Sequence, residues 1–115
     1  MSQDPTTHRL VRDRLDDVIG ACEAIGRYVG DERLPEDLVH DAVRMRLVEI
    51  GEAVRVLPST VTASEPDIPW SRVSDLGDRL TRRYFDTTRA VVFGTAHTDV
   101  PHLADAARRL RATRP

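Results

Sequence analysis

The sequence is poor in cysteine, in uninterrupted apolar segments and in basic residues other than arginine. Cys22 is the only cysteine, which excludes an internal disulfide and a cysteine-based zinc site and is typical of a reducing compartment. No apolar stretch approaches the roughly 18 residues of a membrane span, and residues 1–5 lack the basic and apolar segments of a leader. We therefore expect a cytoplasmic protein that does not enter a membrane.

The net charge is small. A formal charge of −2 over 115 residues excludes the strongly basic field of a protein that coats nucleic acid. Lysine is absent, so all 17 basic residues are arginines and each can grip a phosphate through two nitrogens. With 40% hydrophobic and 31% charged residues, the chain has the composition and length of one folded domain, which we expect to span residues 1–115.

Metal-binding patterns are also missing. Helical bundles that hold carboxylate-bridged metals use Glu-x-x-His pairs from two helices, and the sequence contains no such pair. His97 and His102 flank a predicted helix start, where exposed histidines are common. A phosphate-binding glycine loop and a nucleophile elbow are absent as well. We expect no metal and no cofactor.

The first half of the chain predicts two long helices. Apolar residues recur at intervals of four and three, which predicts a helix over residues 7–29, with a cap at Thr6 or Thr7 and a left-handed residue at Gly30. Pro35 opens a second helix that runs to about Leu57. Its two apolar rows predict a wide buried stripe and a central position: Val39, Val43, Leu47, Ile50, Val54 and Leu57 in one, and Leu38, Ala42, Met45 and Val48 in the other.

One residue inside the second helix predicts a close contact. Gly51 costs roughly 1 kcal/mol of helix propensity relative to alanine. That cost is usually tolerated where another backbone must come near, so we expect a close neighbour at Gly51.

The second half predicts shorter helices. Residues 58–69 contain three prolines and read as a surface connection. A third helix is predicted from Trp70 to Tyr84, and residues 86–88 provide a break and a cap for the next one. A short fourth helix ends near Gly94, and a fifth begins at Thr98 or Asp99. The fold class is therefore all-α, an antiparallel bundle of about five helices. Because so short a chain cannot hide all its apolar stripes, we expect a homodimer through the first helix or its neighbours.

Arginines are concentrated near the end of the third helix. Arg79, Arg82 and Arg83 lie three and four positions apart and project from one side, where they could bind phosphate beside Tyr84. The alternative is an ordinary exposed helix face on which Asp75 and Asp78 pair with arginines. The last helix carries Arg108, Arg109, Arg111 and Arg114, as a flexible basic tail or a second phosphate contact.

Several segments together resemble the HepT-like branch of the HEPN superfamily. They are Leu47-Val-Glu-Ile-Gly-Glu-Ala-Val54, Pro66-Asp-Ile-Pro-Trp70, Arg79-Leu-x-x-x-Tyr84-Phe85 and Val100-Pro-His-Leu103. Each segment alone is weak evidence for the family. Together, in this order and with this spacing, the segments support a resemblance that covers the chain from about residue 8 to residue 112. The resemblance implies a dimeric helical bundle that acts as a ribonuclease toxin, encoded beside a nucleotidyltransferase antitoxin of the MntA type.

In that family, an arginine and a histidine form a metal-independent RNase site across the dimer cleft. The arginine holds the phosphate, the histidine transfers protons, and a nearby tyrosine accepts adenylyl groups from the antitoxin. Carried onto this sequence, Gly77 stands at the arginine position, Asp78 at the polar position, Arg82 at the histidine position and Tyr84 at the tyrosine. With both catalytic identities replaced, the resemblance implies cleavage that is weak or lost. The alternative is a non-catalytic dimer that binds the nucleotidyltransferase, a nucleotide or RNA through Arg79, Arg82 and Arg83.

Overall fold

A computed structural model describes residues 5–82 and 88–114, and every regular element in these ranges is helical. The all-α fold class is confirmed. The helices are α1 (Pro5–Gly30), α2 (Glu36–Arg55), α3 (Ser59–Thr62), α4 (Trp70–Arg82), α5 (Arg89–Gly94) and α6 (Val100–Ala112), and a π-helical turn (Thr95–Asp99) joins α5 to α6.

Helix α1 forms one side of the bundle. Its predicted seam is buried, with Leu15, Val18 and Ile25 completely shielded from solvent, and it packs against α2 and α6. The predicted ends are wrong in detail. Thr6 and Thr7 lie inside the helix, and Gly30 is its last residue, with no positive φ angle at any described glycine.

Helix α2 is central, because α1 packs on one side of it and α4 on the other. The first apolar row is buried as predicted. The second row is only partly buried: the side chains of Leu38 and Met45 are 55% and 59% exposed, whereas Val48 packs against the core. The predicted wide buried stripe is therefore incomplete at Leu38 and Met45.

The connection between α2 and α4 is more ordered than the prolines predict. It contains α3, a single helical turn, and Val61 in that turn is only 2% exposed. The indole nitrogen of Trp70 donates a hydrogen bond to the Glu65 carbonyl at 3.0 Å. The connection is therefore packed against the bundle.

The last three helical segments form one continuous stretch instead of two separated helices. The predicted cap at Thr88 is confirmed, because its hydroxyl accepts a hydrogen bond from the Val91 amide at 3.3 Å. The predicted end of the fourth helix at Gly94 is confirmed. Gly94 itself has φ −60° and ψ −43°, so the backbone continues into the π-helical turn without leaving a helical conformation. Asp99 is also helical and its side chain caps nothing.

Helices α2 and α4 cross in antiparallel directions at two facing glycines. A β-carbon added at Gly51 would lie 2.9 Å from the Gly77 Cα and 3.3 Å from the Val73 carbonyl oxygen. Further along, the Arg44 guanidinium donates a hydrogen bond of 2.7 Å to the Leu80 carbonyl. The close neighbour predicted at Gly51 is therefore confirmed, and it is the backbone of α4.

Candidate functional site

The structure separates the predicted site residues onto different sides of α4. Asp78, Arg79 and Arg82 are exposed, whereas Gly77 is buried against α2. Positions 77 and 82 are five residues apart, about 140° around a helix. The two positions carried over as the catalytic pair therefore do not converge within one chain.

Gly77 is a packing position. A β-carbon there would lie 2.9 Å from the Gly51 Cα and 3.3 Å from the Leu47 carbonyl oxygen. Both atoms belong to the backbone of α2, which cannot swing aside as a flexible side chain can. A side chain at position 77 requires α2 and α4 to move apart.

The exposed face of α4 keeps cationic groups in solvent. Arg82 pairs with Asp78 through a contact of 3.2 Å between Nε and the carboxylate, and both side chains are at least half exposed. Arg79 has no ion-pair partner within residues 5–82 and 88–114. Of the ion pairs predicted on this face, the one between Asp78 and Arg82 is therefore present, and none to Arg79 is present within the described ranges. Solvated pairs of this kind are weak, so both guanidinium groups remain able to bind an anion.

Arg83 and Tyr84 lie outside the described residues. Their predicted roles in phosphate binding and in modification stay predictions. The described part of α4 extends to Arg82.

A groove of about 550 Å³ runs between α4 and the stretch formed by the π-helical turn and α6. Leu47 and Ile50 of α2 form its floor. The apolar walls are Ile68, Pro69, Val73 and Leu76 on one side, and Val100 and Leu103 on the other. The groove lies between α4, which packs against α2, and α6, which packs against α1.

The rim of this groove is charged, with both signs represented. It carries the carboxylates of Asp67, Asp99 and Asp105, the guanidinium groups of Arg72 and Arg109, and the imidazole of His102. His97 and His102 are both exposed, as predicted. The charges nearly balance, so the groove does not attract a phosphate by charge alone.

Arg72 is a candidate functional residue that the sequence analysis missed. It lines the groove, is exposed, and has no ion-pair partner in the described part of the chain. Arg72, Leu76 and Arg79 follow one another at intervals of four and three and so share one edge of α4. The seven-residue spacing of the two arginines is the signal that could have identified Arg72.

One end of the groove is fixed by an ion pair between Glu65 and Arg109. The guanidinium contacts both carboxylate oxygens, with the shortest distance 2.6 Å. These hydrogen bonds from Arg109 lower the pKa of Glu65 below its ordinary value. Arg109 is therefore committed to a structural contact and is not free to bind a ligand.

Comparisons with known proteins show the family of the chain. The family model described as "Ribonuclease HepT-like" matches residues 11–110. The chain belongs to this family. A Thermococcus cleftensis protein named "Probable ribonuclease HepT" is 31% identical over 105 residues, covering 87% of this chain and 94% of that protein. A Caldanaerobacter subterraneus protein named "Putative RNase TTE0752" is 29% identical over 97 residues, covering 80% and 86% of the two chains. No solved structure matches.

Two more arginines of α6 in this HepT-like chain form ion pairs with α1. Arg111 contacts Asp16 at 2.9 Å and Arg108 contacts Glu23 at 3.6 Å, so α6 is tied to α1 by ion pairs. Arg108, Arg109 and Arg111 lie within α6, so they do not form a flexible basic tail. A second phosphate contact through them stays a prediction.

Two negative findings apply to the described residues of this HepT-like protein. No group of three or more potential metal ligands among histidine, cysteine, aspartate and glutamate lies close together there. No helix in that part of the chain is long and apolar enough to cross a membrane.

Proposed function

We propose that this HepT-like chain is an RNA-binding protein, one domain over residues 1–115, in which cleavage by the family's arginine and histidine pair is weak or lost. The observation that carries the proposal is the contact of Gly77 with Gly51. Position 77 supplies no side chain, and its β-carbon would lie 2.9 Å from the facing backbone.

The chemistry at position 82 points the same way. Arginine stays protonated near neutral pH, so Arg82 cannot accept a proton from a 2′-hydroxyl as a histidine would. Transferring that proton typically contributes about 100-fold to 10,000-fold in rate. Without proton transfer at position 82, the residues of this face can still position RNA and supply positive charge, but they provide no general acid or base.

RNA binding is supported by the cations that remain in solvent. Arg79 lacks an ion-pair partner in the described part of the chain, and Arg82 has only a solvated one. Guanidinium groups bind phosphate oxygens in a bidentate manner. In the proposal, Arg83 also contributes to phosphate binding, and the protein acts in the cytoplasm.

A homodimer through α2 belongs to the same proposal. Leu38 and Met45 are seven positions apart on one face of α2 and are 55% and 59% exposed. Exposed apolar rows of this kind are typical of contact surfaces. Helix α2 is a neighbour of α1, so this surface agrees with the predicted location of the dimer contact.

The proposal also includes a regulatory partner. The family resemblance implies a nucleotidyltransferase antitoxin of the MntA type and an adenylyl group on Tyr84. Tyr84 follows Arg82 by two positions, so a bulky anion on it would repel RNA from the arginine face. Co-expression with such an enzyme should add the mass of one or more adenylyl groups to wild type and none to Tyr84→Phe.

The test of RNA binding and cleavage uses total tRNA and messenger RNA without added metal. We expect wild type to bind both RNAs in a salt-sensitive manner and to cleave them barely or not at all. Arg79→Gln combined with Arg82→Gln should weaken binding, whereas Arg55→Gln, at the exposed end of α2, should leave it unchanged. Rapid cleavage by wild type would refute the loss of catalysis, and absence of binding would refute the RNA-binding role.

Restoring the family pair needs a folding control, because Gly77→Arg has to force α2 and α4 apart. Arg82→His is therefore assayed alone as well as with Gly77→Arg, and circular dichroism of each variant is recorded first. Cleavage gained by a folded variant would show that the cleft is intact and that only the side chains are missing.

A further inference from the structure

We propose that the groove between α4 and α6 holds one unstacked nucleobase of a bound single-stranded RNA and prefers bases that carry an amino group. This inference rests on the proposed RNA-binding function. It assigns the base-binding part of the surface, whereas the arginine face binds the phosphates.

The groove has the size and lining of a site for a flat, largely apolar group. Its volume of about 550 Å³ lies within the range of roughly 300–1,000 Å³ typical of small-molecule sites. Leu47 and Ile50 form the floor, and Val73, Leu76 and Leu103 stand at the sides. Single-stranded RNA is recognised mainly through bases that leave the stack and enter such pockets.

The groove is continuous with the proposed phosphate surface. Arg72 and Leu76 line the groove, and Arg79 lies on the same edge of α4, three positions after Leu76. Neither Arg72 nor Arg79 has an ion-pair partner within the described ranges. A strand whose phosphates contact these two arginines passes directly over the opening of the groove.

The carboxylates at the rim favour a base with hydrogen-bond donors. Asp67, Asp99 and Asp105 supply carboxylate oxygens, which only accept hydrogen bonds. Arg109 is held by Glu65, and Asp105 has an exposed ion pair with Arg108 at 3.4 Å. Asp67 and Asp99 have no ion-pair partner within the described ranges, so these two carboxylates are the least engaged acceptors. Carboxylates recognise the exocyclic amino group of cytosine. Uracil carries a carbonyl oxygen at the same ring position. This oxygen only accepts hydrogen bonds, so it would be repelled by these carboxylates.

The experiment compares short fluorescein-labelled oligocytidylate and oligouridylate, which have rings of the same size, by fluorescence anisotropy with the full chain. We expect oligocytidylate to bind more tightly by roughly threefold to tenfold, the change in Kd for one net hydrogen bond. Arg72→Gln should weaken both probes to a similar degree, because it removes a phosphate contact.

Two variants assign the preference to the groove. Leu76→Phe fills the groove and should remove the preference while both probes still bind. Asp67→Asn combined with Asp99→Asn leaves the apolar lining intact and should also remove it. Asp75→Asn is the matched control, since Asp75 lies on α4 but does not line the groove; it should leave the ratio of the two Kd values unchanged.

The outcomes separate this inference from the proposed function. Equal binding of both probes by wild type, or a preference that survives both groove variants, would overturn the base site and leave RNA binding intact. Failure of wild type to bind either probe would overturn the proposed function as well. Thermal unfolding of Leu76→Phe shows whether that variant is folded, and the double aspartate variant decides the matter if it is not.

Discussion

Gly51 and Gly77 face each other across the crossing of α2 and α4, so that a β-carbon on either residue would come within 2.9 Å of the other's Cα. Two helices can approach this closely only where both lack side chains. The contact fixes the depth at which α4 sits on α2. It also places Gly77 on the buried side of α4 and leaves Asp78, Arg79 and Arg82 on the exposed side.

The first prediction concerns the stability of this crossing. Gly51→Ala and Gly77→Ala should each lower the free energy of unfolding by about 1–3 kcal/mol, because the added methyl group overpacks a contact between backbones. The double variant should lose less free energy of unfolding than the sum of the two single losses, because helices already separated by one methyl group accommodate the second more easily. Urea unfolding monitored by circular dichroism measures all three values.

The matched control is Gly26→Ala in α1, where an added β-carbon meets nothing within 4 Å. It should raise the free energy of unfolding by roughly 0.5–1 kcal/mol through helix propensity alone. If Gly77→Ala raised the free energy of unfolding by the same amount as Gly26→Ala, the close crossing would not exist in solution.

The second prediction concerns Arg44, whose guanidinium donates to the Leu80 carbonyl at 2.7 Å. Arg44→Met should lower the free energy of unfolding by about 1.5–3 kcal/mol, the range for hydrogen bonds to charged groups. The last turn of α4 should also exchange its amide hydrogens faster. Arg55→Met, at an exposed position on the same helix, should change stability by less than about 0.5 kcal/mol. Unchanged amide exchange in α4 would argue against the bond.

The third prediction concerns alkaline pH. Burial raises the pKa of the Cys22 thiol from 9.0 to about 12. The unfolded chain therefore releases this proton near pH 9, while the folded chain keeps it. The contribution of Cys22 to stability is complete below pH 9 and is lost progressively between pH 9 and about 12.

Two measurements check this behaviour. Between pH 9 and 11, wild type should lose stability more steeply than Cys22→Ala, which shares all other titrating groups. The native thiol should also react with a disulfide reagent only after denaturant is added, because Cys22 is 4% exposed. Parallel pH profiles for the two proteins would contradict the raised pKa.

The fourth prediction concerns the pair formed by Arg82 and Asp78. Asp78→Asn removes the carboxylate 3.2 Å from Arg82 and should strengthen RNA binding by about twofold to fivefold at low salt. Added salt should shrink this gain because the effect is electrostatic. Glu52→Gln makes the same change of charge in the cleft between α1 and α2 and should not alter affinity. An equal gain from both variants would indicate a general charge effect without an arginine site.

The sequence alone determined the helices and the family. Helix periodicity and the order of short motifs are local properties, so α1, the first buried row of α2 and the start of α4 at Trp70 followed from spacing. Local signals also failed at identifiable places. The sequence predicts the end of α5 at Gly94 but not the π-helical turn that follows it and buries Ala96, because nothing in the nearby residues signals that turn.

Only the tertiary structure decided which chemistry-bearing residues meet. Contacts between Gly51 and Gly77, between Glu65 and Arg109, and between Arg111 and Asp16 join residues far apart in the chain. Such contacts depend on how the helices cross and not on the periodicity of any one of them. The crossings buried Gly77, committed arginines of α6 to ion pairs and left Arg72 and Arg79 beside an open groove. The sequence shows how many arginines the chain has, but the packing of the helices determined which of those in the described ranges have ion-pair partners.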